Sequence, residues 1–148
     1  MSVMPDMKGA IELKQPLQAL LVAPDEKMRN DILSGIKEIS IRDGWRKYRA
    51  GLPVMLCCHL VPWAVMAERI VKVRHCTLKE VTKEEYVADG FKSQKDLLAG
   101  LKRFYPNMTL KSPVTVIRWT GVKGYLVDNF DKELRMPKDL AQDLRVGR

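Results

Sequence analysis

Cysteine and histidine are scarce in this chain, and the scarcity excludes several kinds of chemistry. The three cysteines, Cys57, Cys58 and Cys76, are odd in number and two are adjacent, which makes a poor disulfide framework. Cys57 and Cys58 stand inside an apolar run and read as buried strand residues. The two histidines, His59 and His75, have no zinc-like spacing to the cysteines, so no metal and no cofactor are expected. There is no glycine-rich phosphate loop and no serine-nucleophile elbow. No apolar run approaches the ~20 residues of a membrane span. The N-terminus lacks a basic stretch leading into an apolar core. No membrane partner is expected, and the expected location is the cytoplasm, with reduced thiols. Internal repeats and low-complexity segments are also absent.

What the chain has is length and positive charge. Its 148 residues suit one domain able to bury a core without staples. A net charge of +8 favours a polyanionic partner such as nucleic acid or a nucleotide. Residues 1–14 carry three methionines and no clean period, and read as a loosely attached N-terminal arm. Residues 128–148 form a charged tail in which Leu140 and Leu144 allow a helical turn that docks on the body or on a second subunit; the sequence leaves the oligomeric state open. The domain itself is expected over 15–127.

Within it, Leu17 to Val22 reads as a buried strand. Asp25 is a fit N-cap for a helix carrying Met28, Ile32 and Leu33, and Gly35 a natural stop. Glu38 to Arg42 alternates, with Ile39 and Ile41 on one face and Ser40 and Arg42 on the other, open to a cleft or to water. Val54 to His59 predicts a central strand, Leu60 to Trp63 a loop, and Ala64 to Arg74 a long strand bent or bulged at Glu68-Arg69, the two strands forming a hairpin. A capping box at Thr82 to Glu85 opens a short helix ended by Asp89-Gly90. Ser93 caps a second helix over Gln94 to Phe104, and Val114 to Trp119 is a last strand. The order predicts an α+β fold built on a small curved sheet or open barrel of about five to six strands with two to four flanking helices.

The residues able to carry chemistry lie around the first alternating strand. Lys37 stands in the turn after the helix, either as an exposed surface lysine or as an amine that swings into the cleft as base or nucleophile. Ser40 offers a hydroxyl that needs a neighbouring base. Arg42 can fork onto phosphate or pair with Asp43 or Glu38. The loop that follows interleaves Trp45 and Tyr48 with Arg46, Lys47 and Arg49, a mixture that suits stacked bases and phosphates as well as an ordinary basic loop over a structural tryptophan. Trp63 is a second candidate stacking surface. Asp89 is a helix-stop residue or an acid reaching back towards Lys37.

Taken in order, these residues resemble a known family. A helix, then Gly35-x-Lys37-x-Ile39-Ser40-Ile41-Arg42-Asp43, then Tyr48-Arg49-Ala50-Gly51 before a strand, is similar to the start of ASCH domains (activating signal cointegrator homology). Val73-Arg74-His75, the Val81-Thr82 helix, Asp89-Gly90-Phe91, Phe104-Tyr105-Pro106 and Val114 to Trp119 follow in the family's order, so the resemblance spans 17 to 122. It implies a PUA-like β-barrel with flanking helices. It also implies an RNA, nucleotide or nucleoside ligand in a cleft beside the first helix and the strand after it. Bacterial acetylcytidine amidohydrolases of the superfamily use a lysine, a threonine and a glutamate. The first two fall on Lys37 and on Ser40, which keeps the hydroxyl. The third falls on or near Asp89, a carboxylate one methylene shorter. Other members resemble ribonucleases or RNA binders. Two functions are therefore expected. In the first, Arg42, Arg46, Lys47 and Arg49 meet phosphate while Trp45, Tyr48 or Trp63 meets a base. The alternative is a hydrolase, acting on acylated cytidine or on RNA through Lys37, Ser40 and Asp89.

Overall fold

The computed structural model describes residues 18–127. Five strands run β1 (Gln18–Leu21), β2 (Ile39–Asp43), β3 (Val54–Cys58), β4 (Trp63–Thr77) and β5 (Pro113–Val127). Three α-helices, α1 (Glu26–Ser34), α2 (Lys83–Ala88) and α3 (Gln94–Lys102), and a 3-10 turn at Leu78–Glu80 make up the other elements of the described residues. The expected order of elements is the observed one. The N-terminal arm and the charged tail lie outside the described residues.

The strands form one curled, open half-barrel in the spatial order β1-β3-β4-β5-β2. Only β1 and β3 are parallel; the other pairs are antiparallel. The sheet buries both of its faces. Alternate residues of β5 divide between two cores, Ile117 and Trp119 in one, Val114 and Val116 in the other. The first core takes Ile32 of α1 together with Leu20, Leu56 and Val65. The second takes Ile39 and Ile41 of β2 together with Val81, Leu97 and Leu101 beside the later helices. Burying a side chain of this size contributes about 1.5–3 kcal/mol, so the alternation of β2 and β5 sets which residues face the cleft.

The helix ends follow their sequence signals. The Asp25 carboxylate accepts from the backbone N–H groups of Lys27 and Met28, and Gly35 adopts a left-handed φ of 84° that ends α1. Thr82 and Glu85 make the expected capping box at α2. Several boundaries differ. β4 begins at Trp63 and extends to Thr77, and β5 runs to Val127, because the two strands pair along nearly their whole length, past His75, Thr77, Thr120 and Lys123, polar residues that hide the ends of the ladder in the sequence. α3 ends at Lys102, two residues early, where Arg103 caps it. The expected bulge lies at Val71 rather than Glu68-Arg69: Ile70 pairs with Trp119 and Lys72 with Arg118, leaving Val71 extra.

Glu68 instead faces Gly121, which has a φ of +74° inside β5. A Cβ there would fall 2.7 Å from the Glu68 Cβ, so both strain and collision oppose a side chain. Gly121→Ala is expected to destabilise the protein by about 2 kcal/mol, read as a lower urea midpoint; an unchanged midpoint contradicts this account of the strand crossing.

Candidate nucleotide-binding cleft

Three elements deliver the cleft residues. The left-handed turn at Gly35 releases the chain from α1, and the Lys37 backbone N–H donates to the Asp31 carbonyl at 2.9 Å, fixing the direction in which its side chain leaves. β2 follows with Ser40 and Arg42 on the face opposite Ile39 and Ile41. The end of α2 brings Asp89 over the outer edge of β2. There the Lys37 ammonium donates directly to the Asp89 carboxylate, and both side chains are largely enclosed, 14% and 7% exposed. The backbone N–H of Ile41 also favours the ionised form of Asp89. The sequence expectation that Asp89 reaches back to Lys37 describes this contact.

Ser40 is buried rather than open to water, at 6% exposure. Its hydroxyl oxygen accepts from Arg42 Nε at 2.7 Å, so it joins the cluster through Arg42 and not through Lys37. No carboxylate lies within ion-pair distance of Arg42 among the described residues. Burial pulls the Arg42 guanidinium below its ordinary value, with nearby Tyr105, Tyr48 and Asp89 partly offsetting this and Arg46 adding to it; an arginine stays charged regardless. Tyr105 also lines a groove of about 430 Å³ that opens at the end of β2 between Asp43, Pro106, Asn107 and Pro113.

The basic loop lies across the sheet like a strap. Gly44 N–H donates to the Pro113 carbonyl, and the fully buried Thr115 hydroxyl donates to the Gly44 carbonyl at 2.6 Å and accepts from the Arg46 N–H at 2.8 Å. Trp45 Nε1 donates to the Cys76 carbonyl at 3.2 Å, and the indole stacks on His75 with centroids 5.7 Å apart. Arg46 Nε turns back to the Asp43 carbonyl. Tyr48 packs against the first core, and its hydroxyl donates to Ala19 O. The Arg49 N–H donates to the Gln18 side chain. Lys47 and Arg49 are exposed. Trp63 is only 7% exposed and belongs to the first core, so it offers no open ring. The structure therefore gathers Lys37, Ser40, Arg42 and Asp89, sets Trp45 to Arg49 alongside, and leaves Trp63 out.

Sequence reasoning missed Thr115, Gln18 and Tyr105, because a threonine in an apolar strand and two scattered polar residues carry no local signal for what they hold. It also missed Glu85, which grips Arg74 through both carboxylate oxygens at 2.5 and 2.9 Å. Burial pushes the Glu85 carboxyl up, but Arg74 and the Thr82 N–H outweigh it and hold it below the ordinary range. No group of three or more His, Cys, Asp or Glu side chains among the described residues is arranged to hold a metal ion. Cys57, Cys58 and Cys76 are free thiols, the last two buried, and none of the described helices is long and apolar enough to cross a membrane.

Burial pushes the Asp89 carboxyl above its ordinary range; Lys37, Arg42 and the Ile41 N–H offset only part of this. The folded protein thus holds that proton to higher pH than the unfolded chain does. The group contributes stability below its unfolded-state pKa and loses it as pH rises towards the folded value. The unfolding free energy of wild type minus that of Asp89→Asn is expected to fall as pH rises above the ordinary carboxylate range; a constant difference contradicts the assignment. Lys37→Met leaves the carboxylate uncompensated and is expected to cost about 3 kcal/mol at neutral pH and less in acid, measured by urea unfolding.

No family model matches this sequence. No curated protein matches it either. Solved structures do. A protein from Enterococcus faecalis described by the family model DUF984 aligns with a TM-score of 0.50 at 10% identity, over 85% of this chain and 91% of that one. An ASCH domain from Lactobacillus crispatus aligns with a TM-score of 0.50 at 14% identity, over 79% and 84%. A mutant ASCH protein from Zymomonas mobilis aligns with a TM-score of 0.48 at 11% identity, over 82% and 84%. The second shows that this chain has the fold of an ASCH domain, an α+β architecture as expected.

Proposed function

Taking the ASCH fold as premise, we propose that the cleft beside β2 binds a nucleotide, free or within RNA. The observation that carries this reading is Arg42: a half-buried guanidinium paired with a hydroxyl, not a carboxylate, whose remaining N–H groups are not consumed by an ion pair among the described residues. Such a cation is set to take a phosphate in a forked geometry. Lys37 is neutralised locally by Asp89 and positions rather than attracts. The groove past Tyr105 has the volume of a small-ligand site, and the net charge of +8 favours approach of an anion. Titration with uridine monophosphate at low salt is expected to give saturable binding that weakens as salt rises. Arg42→Ala should weaken it about tenfold or more, and Arg42→Lys should recover only part because the fork is lost. Absence of binding at low salt contradicts the reading.

A second reading, hydrolysis of an acylated nucleoside or of RNA, draws support from the Lys37–Asp89 contact beside Ser40. Because Arg42 donates to Ser40 Oγ, the hydroxyl's own proton is free to leave. Lys37, freed from Asp89 and deprotonated, would take it as Ser40 Oγ attacks the acyl carbon, and protonated Asp89 would pass its proton to the departing amine; water would then release the acyl group. With acetylcytidine as substrate this predicts free cytidine, lost in Ser40→Ala and Lys37→Ala. Wild-type product no greater than that of Ser40→Ala contradicts catalysis.

A further inference from the structure

We propose that the Trp45–His75 stack is a second subsite that takes the base of an adjoining nucleotide, so that the ligand is single-stranded RNA and not a lone nucleotide. This rests on the reading of Arg42 as a phosphate site and extends it. Arg42, Thr115 and His75 are directly paired across three neighbouring strands, β2, β5 and β4. Residues so paired share a face of the sheet, and two strand spacings separate Arg42 from His75, about 10 Å. Trp45 is the most exposed of the tryptophans, at 62%, yet it is held. Its Nε1–H is committed to the Cys76 carbonyl, and one face of the indole lies on the His75 ring at an interplanar angle of 25°. His75 Nε2 is engaged by the Arg46 carbonyl at 2.8 Å, so the supporting ring is fixed too. The backbone on both sides of Trp45 is tied to the buried Thr115 hydroxyl.

An exposed tryptophan usually sweeps many rotamers; this one presents a single free face to solvent, with its ordering cost already met by the fold. A rigid aromatic face on the same loop as Lys47 and Arg49, both exposed, fits a base and its phosphate, because stacking accepts any base and the cations meet the backbone. An apolar protein partner fits worse, since two exposed cations follow within four residues of Trp45.

The experiment compares uridine monophosphate with a five-residue oligouridylate, following affinity by calorimetry and tryptophan fluorescence. Trp63 and Trp119 are 7% and 1% exposed, so quenching by ligand reports Trp45. The oligonucleotide is expected to bind about tenfold more tightly than the mononucleotide and to quench fluorescence, in line with one base–aromatic stack. Trp45→Ala should collapse the ratio of the two affinities towards one, and Trp45→Phe should keep part of it. An oligonucleotide preference that survives Trp45→Ala, or the absence of any preference in the wild type, overturns the proposal. If the mononucleotide alone fails to bind while the oligonucleotide still quenches Trp45, the Arg42 reading fails and the stacking subsite stands.

Discussion

The contact between Lys37 and Asp89 ties the described structure together at its most vulnerable place, the free edge of β2. An edge strand leaves outward-facing backbone N–H groups without a ladder partner. The Glu38 carbonyl accepts from the Trp119 N–H, so on alternation the Ile41 N–H points away from β5, on the side where it favours the ionised Asp89 carboxylate. Placing a carboxylate there buries a charge, and a buried charge needs a counter-charge. Lys37 supplies it from the end of α1. The turn after α1 and the end of α2 are thus joined by one ion pair beside the edge of β2.

From that constraint the site follows. Ile39 and Ile41 enter the core under the later helices, which forces Ser40 and Arg42 to the opposite face. Arg42 is then half-buried, with a hydroxyl as its hydrogen-bond partner among the described residues, while Asp89 is taken by Lys37. The guanidinium is partly desolvated, a cost that the proposed binding of an anion would offset. The strap from Gly44 to Gly51 carries further cations over the same face, with every anchor made to the sheet or to β1.

Much of this was legible in the sequence. Asp25, Gly35, Thr82 and Ser93 announce helix ends through short-range hydrogen bonds, and the alternation of Ile39 to Arg42 announces which face is polar. The ordered motifs around Lys37, Arg42 and Asp89 pointed to the ASCH fold. The rest depends on long-range placement. Nothing local shows that Thr115 lies under the loop, that His75 supports Trp45, or that Trp63 turns inward as the first residue of β4. The strand was expected to end at Arg74; its last residues, His75 to Thr77, were hidden because polar residues there find long-range partners, His75 on the Arg46 carbonyl, that no periodicity encodes.

The central claim is that Arg42 is an anion site held ready by the Lys37–Asp89 contact. Nitrogen-15 NMR of the Arg42 side chain and the Ile41 amide during titration with uridine monophosphate tests it most directly. The account predicts that the Arg42 guanidinium resonances shift in proportion to saturation, while the Ile41 amide, which points away from β5 towards the Lys37–Asp89 contact, moves little. Saturable binding that leaves the Arg42 resonances unmoved would contradict it.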